Sequence, residues 1–390
     1  MKLLVLSNGK GEDSLAVTLL NAIRDLCIER NVAPPLINAF ALVGSGEAYN
    51  RASFPAAGTE EELPSKGFTG STVTTFLKDI RSGLLGIIGK QIGTIRKLSR
   101  DADAIICIGD IYPVLLAYLF TNKPLIHLAT AISVNYRKYT FLELRLFRKR
   151  CKAVFTRDRA TADFLVSNNV IAEYHGNVMM DDPNIISKGI DFGIPKENKV
   201  IGLIPSTRQD AYDNIDKMLM IVSEMKAPQN IEFLLSFSPH LNIDIIKVRV
   251  KEAGWDFLKY HPSFGEMERI GKNGICVRVI SSSFGDIIRR SDLLIGMTGT
   301  GNEQAVGLGT PVVLVECGPA ASRQRIEQYQ KILGDAVAAP RGTEKQAAEY
   351  IENLLNDKEW LQVMAEAGME RMGSPGASRK IADRILEITK

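Results

Sequence analysis

The order of its apolar runs constrains this chain most. Short, continuous apolar runs alternate with amphipathic stretches along the sequence, and the series breaks once and then starts again. Strands covered by helices on both faces have such uninterrupted runs, whereas strands with one solvent-exposed face alternate polar and apolar residues. The pattern therefore predicts an α/β protein built from βαβ units, with two Rossmann-like, doubly wound parallel sheets.

The break in the series sets the domain boundaries. Residues 181–199 contain two prolines, two glycines and little apolar sequence, which is typical of a linker. Strand-like runs resume with VIGLIPS at Val200. We predict an N-terminal domain over 1–180, the linker over 181–199, a second domain over 200–372 and a C-terminal helix over 373–390. Ligands of such sheets bind outside the carboxyl ends of the strands, so we expect the site in a cleft between the domains.

Composition excludes several classes of protein. The formal net charge is only +3, which gives no support for nucleic acid binding. The five cysteines form no CxxC pair, and the four histidines have no metal-ligand spacing, so we predict neither a metal site nor a cofactor. No stretch has the length of a signal peptide or a membrane span. We expect a cytoplasmic protein whose contact with a membrane, if it has one, is peripheral.

A glycine-rich turn in the second half gives the sharpest site signal. The run DLLIGMTGTGNEQAVGLGTPVVLVE predicts a buried strand that ends at Met297, a turn, and a helix that starts near Asn302. Glycines allow a phosphate to approach the backbone, and the amides and dipole of a helix start attract it. Glu303 is suited to accept hydrogen bonds from ribose hydroxyls. The candidate donor-binding residues of this turn are Thr298, Gly299, Thr300, Gly301, Asn302, Glu303 and Gln304. The alternative is a tight turn with an ordinary helix cap.

A second signal follows the first strand of the second domain. VIGLIPSTRQD places Ser206 and Arg208 directly after that strand. The planar guanidinium group of arginine binds a diphosphate through two hydrogen bonds and stabilises a leaving nucleotide. A third segment, VRVISSSFGDIIRRSD from Val277, has a backbone suited to pair with the edge of a nucleotide base, or is an ordinary connector.

These segments, in this order, resemble the donor half of GT-B glycosyltransferases, and lipid-A-disaccharide synthase and its related proteins above all. LIPSTR at Leu203–Arg208 resembles that family's LLPGSR segment, and GTGNEQAVGLGTPVV resembles its glycine-rich donor segment, although the acidic residue comes earlier here. YHGNVMMDD at Tyr174–Asp182 is similar to its Gly-His-Pro-Leu-x-Asp segment. The stretches from Arg323 and Gly373 look like the synthase-related subgroup. The peptidoglycan N-acetylglucosaminyl transferase is a more distant relative.

The resemblance implies a GT-B fold, a UDP-sugar donor, inversion at the anomeric carbon and no required metal. It also implies a last helix that crosses back to the first domain. The acceptor half departs from the family: its Gly-Glu-Ala-Ser-Gly-Asp segment is here Asn8 to Asp13, and its Asp-x-Pro-Asp segment is here Gly109 to Pro113. Lipid A precursors therefore need not be the acceptor.

Inverting transfer needs a base for the acceptor hydroxyl and stabilisation of the leaving diphosphate. Asp110 at the end of AIICIG matches the family's acidic segment, and we prefer it as the base; the alternative is a helix N-cap. Gly9 and Gly11, in SNGKGEDS, allow a sugar to approach closely, and Glu12 or Asp13 could hold the acceptor or act as base. Helix capping by Glu12 and Asp13 is the alternative there.

Two stretches of the acceptor half combine apolar and basic residues. GLLGIIGKQIGTIRKLSR begins at Gly83, and a second cluster extends from Tyr136 to Lys152. Such stretches suit the surface of an anionic membrane, or they are core helices with a solvated basic face. We therefore predict an inverting transfer from a UDP-sugar to a lipid-linked acceptor. A non-hydrolysing UDP-sugar 2-epimerase and a non-catalytic nucleotide-sugar-binding protein are the alternatives.

Overall fold

The computed structural model describes residues 1–59, 84–226, 230–259, 266–281, 283–297 and 299–389. The chain divides into two units. The first unit consists of residues 1–182 together with 375–390, and the second consists of residues 183–374.

The first unit is built on a sheet of seven parallel strands. The strands are β1 (Lys2–Ser7), β2 (Leu36–Ala41), β3 (Ala56–Gly58), β4 (Ala104–Gly109), β5 (Leu125–Ala129), β6 (Cys151–Thr156) and β7 (Ala172–Glu173). The helices that follow them are α1 (Lys10–Glu29), α2 (Glu47–Arg51), α3 (Leu84–Ser99), α4 (Ile111–Phe120), α5 (Phe141–Arg150) and α6 (Arg159–Ser167).

The strand order of this sheet is β3-β2-β1-β4-β5-β6-β7. All six residues of β4 are buried, as expected for a central strand covered by helices on both faces. Residues 56–75 are rich in Gly, Ser, Thr and Glu, which is typical of a loop, but Ala56–Gly58 pair with β2 as an edge strand. The rest of that stretch beyond Thr59 lies outside the described residues.

The second unit has an eight-stranded sheet of order β10-β11-β12-β9-β8-β13-β14-β15. Its strands are β8 (Lys199–Ile204), β9 (Ile231–Phe237), β10 (Asp256–Phe257), β11 (Glu266–Lys272), β12 (Ile275–Ser281), β13 (Leu293–Gly296), β14 (Val312–Leu314) and β15 (Val337–Ala338). Its helices are α7 (Ala211–Glu224), α8 (Ile243–Glu252), α9 (Phe284–Arg290), α10 (Thr300–Gly307), α11 (Arg323–Leu333), α12 (Glu344–Asn356) and α13 (Lys358–Met372).

This second sheet is mixed, which corrects the expectation of a purely parallel sheet. The strands β10 and β11 are antiparallel additions at one edge. A tight turn at Asn273 and Gly274, both with positive φ, joins β11 to β12. The run EMERIGK of β11 carries too many charged residues to give the apolar signal of a buried strand.

The segment between the two sheets is packed rather than extended. Ile185, Phe192 and Ile194 are buried, and the last two belong to an apolar cluster with Val200 and Leu234 of the second unit. Residues 183–198 are therefore part of the second unit.

The last helix, α14 (Ala377–Ile388), belongs to the first unit. Its Arg379 donates two hydrogen bonds to Glu29 of α1, at 2.7 and 2.5 Å. The carboxylate of Asp181 accepts hydrogen bonds from the backbone amides of Gly376 and Ser378 at the start of the helix. These contacts hold the last helix against α1 and against the end of the first unit's main segment.

Candidate functional site

Each sheet has one point at which the strand order reverses. In the first unit the chain moves outward from β1 to β2 in one direction and from β4 to β5 in the other, so the reversal lies between β1 and β4. In the second unit it lies between β8 and β13. The crevice outside the carboxyl ends of two such strands is where open α/β sheets bind ligands. The predicted site residues follow these four strands.

Asp110 stands at the reversal point of the first unit. Its Oδ1 accepts hydrogen bonds from the Tyr112 amide at 2.9 Å and from the side chain of Asn8 at 3.0 Å. Asp110 is thus the N-cap of α4 and is also joined to the end of β1. Burial raises the pKa of this carboxyl, and the two hydrogen bonds oppose the rise. Both of these hydrogen bonds fall on Oδ1, and neither involves Oδ2.

Glu12 extends from α1 across the same reversal point. A Cβ placed on Gly9 would lie 2.5 Å from Glu12 Oε2, and one placed on Gly109 would lie 3.1 Å from Glu12 Cγ. Glycine at these two positions therefore provides the space that the Glu12 side chain occupies. Gly109 also has a φ of 116°, a conformation that residues with a side chain rarely adopt.

Asp13 lies deeper than Glu12 and is only 3% exposed. Its Oδ1 accepts a hydrogen bond of 2.5 Å from the Ser7 hydroxyl, which itself accepts one of 2.7 Å from Tyr49. Burial raises the pKa of Asp13 to about 6, against the opposing effects of the Ser7 hydroxyl and the Lys10 charge. Asp13 therefore joins β1, α1 and α2 beneath the reversal point, and burial separates it from ligands.

The second unit presents a strained turn after β8. Ser206 has a φ of 98°, which is unusual for a residue other than glycine and costs about 1–3 kcal/mol. Its hydroxyl donates to Asp210 Oδ1 at 3.1 Å and accepts from the Arg208 amide at 3.2 Å. Asn214 of α7 donates to the Pro205 carbonyl at 2.7 Å and holds the turn from below. The Arg208 side chain is exposed, and its guanidinium has no ion-pair partner among the described residues.

The glycine turn after β13 starts α10. Gly299 is the N-cap, with φ 150° and ψ 168° and no side-chain cap. This conformation is nearly exclusive to glycine. The helix begins at Thr300 rather than near Asn302, and the Asn302 amide already donates to the Gly299 carbonyl. The amides of Thr300 and Gly301 have no partner among the described residues, so these two are available to an anion.

The remaining predicted residues of this turn face inward. Asn302, Glu303 and Gln304 are each no more than 4% exposed. The Asn302 side chain donates to the Met297 carbonyl at 2.7 Å and fixes the end of β13. Thr298 lies outside the described residues. Gly301 lies under Phe284 of α9, because a Cβ there would be 3.0 Å from the phenyl ring.

Sequence reasoning missed three residues of the first unit. Asn8 donates to Asp110 across the reversal point, Ser7 donates to Asp13, and Tyr49 donates to Ser7. The position of Ser7 and Asn8 at the end of the first strand was a signal for two of them. Tyr49 lies in a short helix with no motif, so only its burial in the fold identifies it.

The apolar and basic stretches of the first unit divide between core and surface. In α3, Ile87, Gln91 and Ile95 are buried. Four apolar residues of the second cluster also belong to the core, which corrects the expectation that they face a lipid: Tyr139, Leu144, Leu146 and Phe147. Phe141, at 72%, Leu142, at 62%, and Tyr136, at 39%, are exposed.

Neither a metal site nor a membrane-spanning helix is seen in the described part of the chain. No group of three histidine, cysteine or acidic side chains is arranged there to hold a metal ion. No helix of that part is both long and apolar enough to cross a bilayer. His127 is a core residue: burial lowers its pKa to about 4, and its Nδ1 lies 3.0 Å from the Cys107 carbonyl oxygen.

Solved structures share this architecture over nearly the whole chain. UDP-GlcNAc 2-epimerase from Neisseria meningitidis, solved with UDP-GlcNAc bound, is 15% identical, with a TM-score of 0.58 over 99% of this chain and 100% of that one. MurG from Acinetobacter baumannii is 13% identical, with 0.60 over 99% and 100%. The calicheamicin glycosyltransferase CalG4 is 10% identical, with 0.62 over 100% and 98%.

These likenesses establish the fold. The chain has two doubly wound α/β domains of the GT-B type, as predicted. No family model matches the sequence, and a search of curated proteins finds no sequence match. At 10–15% identity the likeness does not decide the reaction, so the chemistry of the two reversal points must carry the functional argument.

Proposed function

We propose that this protein is an inverting glycosyltransferase that moves a sugar from a UDP-sugar to a lipid-linked acceptor. One observation carries the proposal: the two reversal points have opposite chemistry. The second unit offers an unpaired arginine and free helix-start amides, and the first offers the carboxylates of Asp110 and Glu12. An anionic donor and a hydroxyl acceptor require these two environments.

Asp110 Oδ2 takes the proton of the acceptor hydroxyl in this reaction. The freed oxygen attacks the anomeric carbon on the face opposite the leaving group, the bond to the UDP oxygen breaks, and the configuration inverts. Arg208 and the amides of Thr300 and Gly301 stabilise the charge that develops on the leaving diphosphate. The raised pKa of Asp110 favours this role, because a base is most effective with a pKa near the working pH.

The motif likeness to lipid-A-disaccharide synthase supports the glycosyltransferase reaction over the alternatives. LIPSTR supplies Arg208, and the GTGNE turn supplies the free amides. The carboxylates of Asp110 and Glu12 at the reversal point of the first unit support a base there, whereas a sensor protein has no need of one.

A UDP-sugar 2-epimerase is the second candidate, because an epimerase shares the fold over the full chain. Its reaction eliminates and re-adds UDP without an acceptor. Incubation with UDP-GlcNAc and related UDP-sugars, with and without a lipid extract, separates the two. Release of UDP only when lipid is present supports transfer, and a C2 epimer formed without lipid contradicts it.

A thermal-shift panel of nucleotides tests the donor site directly. A ligand that binds only the folded state raises the melting temperature, and a concentration of 100 times Kd adds about 2.7 kcal/mol. We expect UDP and UDP-sugars to raise it and the nucleoside alone to have a much smaller effect. If no nucleoside diphosphate changed the melting temperature, the proposed donor site would be contradicted.

Exposed residues around the start of α5 support a peripheral position at the cytoplasmic face of a membrane. Phe141 and Leu142 project there, and the exposed cations nearby are Lys138, Arg145, Arg148 and Lys149. Apolar side chains that insert and cations that meet anionic headgroups act together at such a surface. This position would bring the first unit to a lipid-linked acceptor.

Flotation with vesicles of anionic and of zwitterionic phospholipid tests that position. We expect Phe141→Ser with Leu142→Ser to weaken binding to anionic vesicles by about tenfold or more. Val166→Ser, at an apolar residue of α6 that is 55% exposed, is the control and should bind as the unaltered protein does. Equal flotation of the double variant would refute this surface.

A further inference from the structure

The two reversal points contain the same glycine turn. Residues 9–13 have the sequence GKGED, and residues 299–303 have the sequence GTGNE. Gly9, the N-cap of α1, has φ 159° and ψ 165°, and Gly299 has φ 150° and ψ 168°. Neither helix has a side-chain cap. The backbone of the first unit therefore has the geometry that we assign to diphosphate binding in the second.

The third helical position distinguishes the two turns. In α10 it is Asn302, whose side chain turns inward to the Met297 carbonyl and leaves the helix start open. In α1 it is Glu12, whose Oε2 lies against Gly9 and whose stem reaches Gly109 on β4. A carboxylate at a helix start satisfies its positive end and repels a second anion.

The groups beside Glu12 are hydrogen-bond acceptors. Asp110 is a carboxylate, and Asn8 donates its amide to Asp110, so the remaining Asn8 Oδ1 can only accept. That oxygen is buried and has no donor among the described residues. The charge of Lys10 lowers the pKa of the buried Asp13. The oxygens of Glu12, Asp110 and Asn8 need hydrogen-bond donors. A ligand with hydroxyl groups supplies such donors, whereas a phosphate supplies only more acceptors.

We infer that Glu12 is a specificity-determining residue that excludes anions from the α1 turn and selects an uncharged, hydroxyl-bearing head group. The inference rests on the proposed function and names its acceptor class: a lipid whose reacting end is a neutral polyol, not a phosphate. Glu12 acts by charge and by filling the helix start, and Asp110 remains the base.

Titration with inorganic phosphate, followed by backbone amide NMR, tests the role of Glu12 without any turnover. In the unaltered protein, we expect phosphate to shift the amides of Thr300 and Gly301 and not those of Lys10 and Gly11. In Glu12→Gln, the Lys10 and Gly11 amides should shift as well, with binding at least about tenfold tighter than in the unaltered protein. Glu47→Gln, at the first turn of α2, makes the same charge change elsewhere and should leave these amides unchanged.

Two results would overturn the assignment: phosphate shifts at Lys10 and Gly11 in the unaltered protein, or no new shifts in a folded Glu12→Gln.

Acceptor competition on the unaltered enzyme gives a second measurement if the variant does not fold. A hexosyl diacylglycerol in vesicles should be glycosylated in preference to phosphatidylglycerol or a sugar 1-phosphate, which carry hydroxyls beside a phosphate, by at least about tenfold. Equal or better use of the phosphorylated acceptors would also refute it. No transfer to any acceptor would refute the proposed function instead, and the phosphate titration would then decide the role of Glu12 alone.

Discussion

The reversal points of the two sheets have the same glycine turn at the start of a helix, and we assign different ligands to the two turns. At each point a helix begins after a glycine and has no side-chain cap. The neighbouring strand is followed by a turn that carries a charged residue. The third residue of the helix is Glu12 in the first unit and Asn302 in the second. The charged residue after the neighbouring strand is Asp110 in the first unit and Arg208 in the second. Under the proposed function, the fold determines where each ligand binds, and a few side chains select a hydroxyl or a diphosphate. Four predictions test this contrast.

Removal of the acidic base should have the largest effect. Asp110→Asn keeps the N-cap hydrogen bond, because asparagine caps helices as well as aspartate does, but it cannot take a proton. We expect kcat to fall by about 10²–10⁴-fold with UDP affinity unchanged. Asp357→Asn makes the same change at the N-cap of α13 and should leave kcat unaltered. A small loss of kcat in Asp110→Asn would transfer the role of base to Glu12.

Removal of the cation from the second unit should weaken donor binding. Arg208→Ala should raise the Kd for UDP by about 10–100-fold, because a charge-assisted pair of hydrogen bonds is lost. Calorimetric titration with UDP measures the change. Arg341→Ala removes an exposed loop arginine, 77% exposed, that pairs with Glu327, and should bind UDP normally. Unchanged affinity for UDP in Arg208→Ala would mean that the arginine takes no part in the UDP site at the glycine turn.

The two N-cap glycines should respond differently to a methyl group. At Gly299 a Cβ would meet no atom within 4 Å, so Gly299→Ala costs only backbone strain, about 1–3 kcal/mol of unfolding free energy. It should also weaken UDP binding, because it displaces the Thr300 amide. At Gly9 a Cβ would contact Glu12 Oε2, so Gly9→Ala must also move that carboxylate. Urea unfolding together with phosphate titration shows whether Gly9→Ala, unlike Gly299→Ala, opens the α1 turn to anions.

The smallest predicted effect is the pH dependence that Asp13 gives to stability. Its pKa is about 6 in the folded protein and about 3.9 in an unfolded chain, so the folded state binds more protons between these values. Stability from this group therefore rises as the pH falls, by about 1.3 kcal/mol between pH 7 and pH 5. The difference in unfolding free energy between the unaltered protein and Asp13→Asn, measured by urea titration at both pH values, isolates this contribution. A difference that does not change with pH would mean that Asp13 does not titrate in this range.

Local sequence was sufficient for most of the fold. The runs AIICIG and DLLIGM are short and apolar, and the structure has them as β4 and β13, in the centres of the two sheets. β11 escaped prediction because four of its seven residues are charged, so it lacks the apolar run of a buried strand. Ala56–Gly58 escaped because a strand of three residues is too short to show a periodicity.

The site divides in the same way. The sequence by itself determined that Gly299, Arg208 and Asp110 follow strands, because strand ends and turn residues are local signals. Only the tertiary structure decided that Asn8 contacts Asp110, that Glu12 lies between Gly9 and Gly109, and that Asp13 is buried against Ser7. Those contacts join residues about 100 positions apart or depend on which way one side chain turns. They arise when the sheet brings β1 beside β4, and no local pattern of residues encodes that pairing.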